Sequence, residues 1–329
     1  MDTAVTDPHR PDGHPRAASP GAVPSAQPGA SRGAFAALAL AGSLWGTGFL
    51  FGKIALVEMG VGHMVLYRFL FACIGLLAVA FHQRRTERFT MPPRSDVLTF
   101  LVAAALYVPV QFLVEFEGLA RTTVAHASLM VGMLPILLAL GAVLFTHERL
   151  DRTGWLTLFA STLGAALIVM RAASSSDSAA GGPTLLGDLL VLASMLAAVA
   201  WVLVTKRLMQ HGRRYSPVLA SIYVIVPGTV MLAAWVLVVD GPPPIHISMR
   251  GWLALAEQGL FATAATTLLW NWGLERVPIA RAGIFINLEP VVGAILGIVV
   301  LHETLGPLAL AGGALIVGAA VVFTRNGSS

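Results

Sequence analysis

Apolar residues in this chain run in long unbroken stretches separated by short polar intervals, from about residue 34 to residue 324. A helix needs roughly 17–25 mostly apolar residues to cross a bilayer. Stretches of that length predict spans near 34–56, 63–82, 96–118, 123–146, 153–171, 185–205, 217–239, 251–272, 279–301 and 307–324. Strands of a membrane barrel alternate apolar and polar residues, whereas these runs are apolar on every face. The predicted fold is all-α: a polytopic membrane protein with ten transmembrane helices, five in each half.

Composition agrees. Apolar residues make up 56% and charged residues 12%, against about 45–50% and about 25% in a soluble domain. The net charge of +4 comes from basic residues spread over short loops, with no cluster interleaved with aromatics, so no nucleic-acid partner is expected. Those residues give orientation instead, because Lys and Arg accumulate in cytoplasmic loops. With the N-terminus inside, Arg32, Arg84, Arg85, Arg149, Arg152, Arg213, Arg214 and Arg325 all fall on the cytoplasmic side, and only Arg121, Arg171 and Arg250 fall outside. Both termini are therefore expected in the cytoplasm.

The chain also repeats itself. Residues 118–150 align without a gap on 273–305, an offset of 155. Identical pairs include Gly118/Gly273, Leu119/Leu274, Arg121/Arg276, Pro135/Pro290, His147/His302 and Glu148/Glu303. A fixed-offset match means a duplicated unit. Five helices per unit turn the second copy over relative to the first, which is the inverted-repeat architecture of many transporters. The resulting organisation is a disordered, proline-rich tail (1–32), a first repeat (33–171), a Ser/Gly-rich linker (172–184) and a second repeat (185–325). Cys73 is the only cysteine, which excludes an intramolecular disulfide and a cysteine-based metal site.

Several short features together resemble one family. These are Trp45-Gly46 followed by Lys53, Arg68-Phe69, Gly118-Leu119, mid-span Pro135 and Pro290, and the Glu-x-Leu ends at Glu148 and Glu303. Their doubled arrangement resembles EamA-type members of the drug/metabolite transporter superfamily over about residues 33–325. The resemblance implies a central cavity lined mainly by helices 1, 3, 4, 6, 8 and 9. It also implies alternating access, often with export of amino acids or related metabolites.

Features shared by both repeats read as scaffold, and features present once are the better functional candidates. Pro135 and Pro290 each remove a backbone donor and clash with the preceding turn, so they mark a hinge, the cavity or a packing kink. His147-Glu148 and His302-Glu303 lack the second histidine of a zinc-protease motif and read as interfacial anchors. Lys53 is expected to snorkel toward the interface. Glu289 stands before Pro290 where the first repeat has Leu134. A carboxylate at that depth faces a cavity or a partner. It could carry a coupling proton, hold a substrate amino group, or pair with Lys53 or Arg281.

Glu115 and Glu117 sit two apart on one helix and so point to different faces, with at most one directed inward. Glu257 has equal claims on the cavity and the interface. His126 could titrate at physiological pH but is expected at the interface, and Arg68 could bind a carboxylate but is expected to pair with Glu58. Tyr107, Gln111, Trp201, Thr263, Thr266, Thr267, Trp270, Asn271 and Asn287 are the candidates for the neutral cavity wall, Trp45 could gate or line it, and interior packing is the alternative for each. Gly42/Gly46, Gly48/Gly52 and Gly293/Gly297 read as close-packing positions.

The expected protein is a secondary transporter of a prokaryotic inner membrane, without cofactor or metal and without enzymatic activity. Its expected partners are a small-molecule substrate, the lipid bilayer and a candidate coupling proton, with monomer and homodimer both open. Export of an amino acid leads, and drug-like organic cations are the nearest alternative. An intramembrane enzyme and a non-transporting receptor are the readings from other classes.

Overall fold

The computed structural model describes residues 31–83, 91–134, 136–137, 140–141, 144, 152–174, 183–210, 215–274 and 285–326. In chain order the helices are α1 (Ser31–Ala55), α2 (Val61–Gln83), α3 (Arg94–Ala120), α4 (Val124–Val131), α5 (Arg152–Ser174), α6 (Leu185–Gln210), α7 (Pro217–Val239), α8 (249–274), α9 (Leu288–Leu301) and α10 (Pro307–Asn326). No strand occurs among the described residues. Five of these helices, α1, α2, α3, α6 and α7, are long and apolar enough to cross a membrane by length and composition. Large apolar side chains such as Leu40, Ile74, Leu77, Phe159, Leu196 and Trp235 are exposed on the outside of the bundle. Such a surface is stable against lipid tails and costly in water.

Helix starts follow the local chemistry. Thr123, Ser216 and Ser248 each stand before a helix and accept from the backbone N–H three residues on, the side-chain cap that satisfies an otherwise orphaned donor. Pro217 then occupies the first position of α7, where its missing N–H costs nothing.

The helices pair across the two halves of the sequence. α1 packs on α8 and α9, α6 packs on α3 and α4, and α2 packs on α7 and α8. α4 packs on α9, α3 on α7, and α5 along α10. Shifting each label by five converts this set of pairings into itself.

Small residues allow the closest of these approaches. A Cβ on Gly42 would run into the carbonyl oxygen of Phe285, and one on Gly46 would stand 2.6 Å from that of Glu289. The glycines read as packing positions do pack. Gly52 lies against Phe116 and Gln258, and Gly293 against Ser128.

Two irregularities recur in both halves. α4 ends in a turn at Gly132 and Met133, where Gly132 N–H bonds Leu129 O and Met133 N–H bonds Met130 O. In the second half a turn falls at Asn287, the position 155 residues after Gly132. Each turn stands three residues before the matched proline, whose ring disfavours a continuous helix in the turn ahead of it. Pro135 itself lies outside the described residues. Pro290 is buried in the first turn of α9, a position where proline is tolerated. The span expected from 279 to 301 is thus interrupted at Asn287, and residues 279–284, including Arg281, lie outside the described set.

The second irregularity is a widened, π-helical stretch in the middle of α3, Leu106–Gln111, and of α8, Glu257–Ala265. Such bulges are uncommon and occur frequently at functional sites. Pro109 lies within the first of them.

Candidate functional site

The two π-helical stretches bring Gln111 from α3 and Gln258 and Thr263 from α8 into the buried interior. Arg68 lies between them, with 4% of its surface exposed. Its Nε donates to Thr263 Oγ1 at 2.9 Å and its Nη1 to Gln258 Oε1 at 2.7 Å. Its guanidinium carbon stands 4.5 Å from the Phe112 ring centre and 5.3 Å from that of Phe116, within the range of a cation–π contact. Arg68 therefore does not pair with Glu58. It sits seven residues into α2, about 10 Å deep at ~1.5 Å per residue, and its side chain runs into the bundle. Glu58 instead accepts from Ser248, from its N–H at 2.6 Å and its hydroxyl at 2.5 Å.

Three carboxylates surround Arg68 within electrostatic reach: Glu115, Glu257 and Glu289. Glu115 is 6% exposed, and its nearest donor is Gln111 Nε2, a long contact at 3.5 Å. Gln111 Oε1 accepts from Trp201 Nε1 at 2.8 Å. The Trp201 ring lies 4.7 Å from that of Tyr107, so Tyr107, Gln111 and Glu115 form one polar wall of α3. Glu257 makes a contact with Thr47 Oγ1 at 2.5 Å. Glu289 is half-buried in the first turn of α9, where a negative charge meets the positive end of the helix dipole. Asn287, just before it, is 5% exposed, and neither atom of its amide has a partner among the described residues.

Of the two outer glutamates on α3, Glu115 turns inward, and Glu117 forms an exposed pair with Arg121. The Trp45 and Trp270 rings meet at a tilt of 55° with centres 5.2 Å apart, and both come from helices that line the cluster. The backbone of Asn271 lies in α8, and its side chain is outside the described set.

Lys53 does not snorkel. It donates to the carbonyls of Leu119 at 2.7 Å and Thr122 at 2.5 Å, capping the end of α3. Glu303 is no interfacial anchor either. Its two oxygens accept from Val124 N–H and Ala125 N–H, each at 2.8 Å. His126, 1% exposed, is buried against Asp188 with Nδ1 at 3.2 Å from Oδ2, and Asp188 also accepts from the Thr122 hydroxyl.

Sequence reasoning missed Asp188 and Thr47. Asp188 carries a usable signal: it follows the Thr184 cap by one turn, yet it begins an apolar span. Thr47 carries none, since a single threonine among apolar residues is ordinary packing material.

These elements combine a bundle of apolar helices, a lipid-compatible outer surface and a charged cluster closed off inside. That combination defines a polytopic membrane protein. The EamA-like transporter family model matches residues 32–170 and again residues 185–325, and the chain belongs to that family.

Curated relatives agree with this class. An uncharacterized transporter of Archaeoglobus fulgidus is 25% identical over 267 residues, 81% of this chain and 88% of the relative. The uncharacterized transporter YetK of Bacillus subtilis is 24% identical over 288 residues, 87% of this chain and 85% of the relative. A probable terminal-alkyne amino-acid exporter of Streptantibioticus cattleyicolor is 24% identical over 294 residues, 88% of this chain and 93% of the relative. A solved crystal structure shares the fold with a TM-score of 0.57 at 17% identity, covering 86% of this chain and 98% of that one.

Proposed function

We propose that this protein is a secondary transporter that exports a small amine-bearing metabolite, an amino acid or a related compound, by alternating access. Its ten spans form two inverted repeats, 33–171 and 185–325, joined by the linker 172–184. Both termini are cytoplasmic in a prokaryotic inner membrane, as the distribution of basic residues in the loops favours. The reciprocal pairing of helices across the halves supports the repeat reading. The matched turns before Pro135 and Pro290 support hinges at those places.

The observation that carries the substrate reading is the charge balance around Arg68. Glu115, Glu257 and Glu289 lie within electrostatic reach of one guanidinium whose Nε and Nη1 are already given to Thr263 and Gln258, so even with one of the three protonated the cluster carries one carboxylate more than it has cations. Among the described residues no carboxylate makes a direct ion pair with Arg68. A buried carboxylate needs a cation or a proton, and a cationic group completes the cluster for the carboxylates that stay ionised. Glu289 and Glu115, which also sense each other, are suited to hold a substrate ammonium. Tyr107, which senses both charges, and Trp201, with its ring centre 4.7 Å from that of Tyr107, supply aromatic surface on that side, and the Trp45–Trp270 pair supplies more on α1 and α8. Asn287, with its unpartnered amide, is suited to a substrate polar group. The same commitment of Arg68 favours a second reading, organic cations without a carboxylate, because little of the guanidinium is left to bind one.

Flux into proteoliposomes tests this. Labelled amino acids and the amines made by removing their carboxyl groups are compared, with and without a pH gradient, for wild type and Glu289→Gln. Saturable amine-dependent flux that Glu289→Gln weakens supports the reading. Preference for the decarboxylated compounds selects the cation reading. Flux unchanged by Glu289→Gln removes Glu289 from the site.

A further inference from the structure

The Thr47 hydroxyl has one hydrogen and two oxygen neighbours at hydrogen-bond distance. Its Oγ1 lies 2.6 Å from the carbonyl of Leu44 and 2.5 Å from Glu257 Oε1. The Leu44 carbonyl can only accept, and a threonine bond to the carbonyl three or four residues back is ordinary helix geometry. If Thr47 donates there, the hydrogen in the short contact to Glu257 has to come from the glutamate. Two oxygens at 2.5 Å without a hydrogen between them would repel.

Thr263 serves as an internal control. It donates to Gln258 O at 2.8 Å and accepts from Arg68 Nε at 2.9 Å, so its single hydrogen and its lone pairs account for both contacts. The count fails at Thr47, and one proton on Glu257 restores it.

The surroundings agree. Glu257 Oε2 is buried and has no partner among the described residues. An ionised carboxylate would leave half a charge bare there, which is far costlier than leaving the carbonyl oxygen of a neutral acid. The charged groups around it do not supply a direct counter-ion. On α2, Arg68 gives its Nε and Nη1 to Thr263 and Gln258, and His63 lies 3.2 Å from Gly241 O. On α1, Lys53 is turned to the carbonyls of Leu119 and Thr122. On α8 itself, Arg250 lies at the helix start beside Glu58. Thr47 is eight residues before the end of α1, and Glu257 is eight residues after the start of α8. Both therefore lie about 12 Å in at ~1.5 Å per residue, away from bulk water.

We propose that Glu257 is a proton-binding site: in this conformation it is a carboxylic acid donating to Thr47, and it releases that proton during the transport cycle. The consequence for transport rests on the reading above, with Glu257 carrying the proton and the Glu115–Glu289 side carrying the substrate. The proton leaves Glu257 Oε1, and the carboxylate so formed has Arg68 as its cationic neighbour within electrostatic reach.

Infrared spectroscopy of the purified protein at neutral pH tests the protonation without requiring transport. The wild-type minus Glu257→Gln difference spectrum is expected to show a carboxylic-acid C=O band that shifts in D2O. A carboxylate band in its place overturns the proposal. The amide introduced by Glu257→Gln can donate to Thr47 as the acid does, so this variant keeps the contact. Thr47→Val is the second probe: it leaves the acid without its acceptor and is expected to shift the C=O band. An unmoved band overturns the assignment.

In proteoliposomes, Glu257→Gln is expected to lose the flux driven by a pH gradient and to keep substrate exchange. Gradient-driven flux that survives in this variant overturns the coupling role. If the acid band is present and wild type moves none of the amines, the proton site stands and the substrate reading falls.

Discussion

Glu303 closes the first turn of α4 from the opposite half of the chain. Its two oxygens accept from Val124 N–H and Ala125 N–H at 2.8 Å each, satisfying two donors that the helix leaves open. His302 makes the reach possible by adopting a left-handed conformation with φ of 55°, after which Glu303 N–H bonds Gly297 O at 3.1 Å. Losing a helix cap costs about 0.5–2 kcal/mol. Glu303→Ala is expected to lower stability in detergent by an amount in that range. Glu303→Gln, which keeps one acceptor, is expected to lose less. Equal melting of both variants and wild type would show that the cap contributes nothing.

Asp188 joins α6 to the α3–α4 turn. It is fully buried and accepts from Thr122 and, through Oδ2, faces His126 Nδ1 at 3.2 Å. Removing one member of a buried charged network leaves the others unsatisfied, at about 3–5 kcal/mol. Asp188→Ala is expected to be among the most destabilising single changes in the second half, with Asp188→Asn milder. A double-mutant cycle with His126→Ala reads the coupling directly. Additive effects would mean that the two side chains do not interact.

Which parts of this structure are visible in the sequence depends on the range of the forces involved. The helices are legible because an apolar run of span length has one stable solution in lipid. The repeat is legible because an offset of 155 is written in the residues themselves, and the matched turns at Gly132 and Asn287 follow from the prolines three residues on. The widened stretches of α3 and α8 are not legible, since a π-bulge leaves no periodic trace in a helix with apolar residues on every face and only a few polar ones among them. Arg68 escapes sequence reasoning for a related reason. A long side chain near a span's end can reach out or in, and only Phe112, Phe116, Gln258 and Thr263, brought from two other helices, decide the direction. Lys53, Glu303 and His126 look interfacial because each stands near a helix end, yet their partners come from residues distant in sequence.

Gly46 tests the contact between α1 and α9. A Cβ there would lie 2.6 Å from Glu289 O and 2.9 Å from Val292 Cβ. The first neighbour is backbone and cannot rotate away, so the helices must separate. Overpacking of this kind costs about 1–3 kcal/mol. Gly46→Ala is expected to lower thermal stability and to displace Glu289, reducing flux. Gly318→Ala, with nothing within 4 Å of the added atom, is the matched control and is expected to melt like wild type. Equal behaviour of the two would rule out a tight α1–α9 contact.

Glu58 offers a pH test outside the spans. Its carboxylate accepts from the hydroxyl and then the backbone N–H of Ser248, with Arg250 nearby, and these together hold its pKa below the ordinary 4.5. Such a group binds its proton less readily in the folded protein than in the unfolded chain. The stabilisation it gives is therefore complete above the ordinary glutamate range and is lost as pH falls through the lowered value. Ser248→Ala removes the hydroxyl that contributes most to the shift. The difference in melting temperature between wild type and Ser248→Ala is expected to be constant near neutrality. It should shrink only as the pH drops below the ordinary glutamate range. The contact is exposed, so the difference should be small, and high salt should reduce the Arg250 part of it. A difference that grows on acidification would reverse the sign and remove Glu58 as the group responsible.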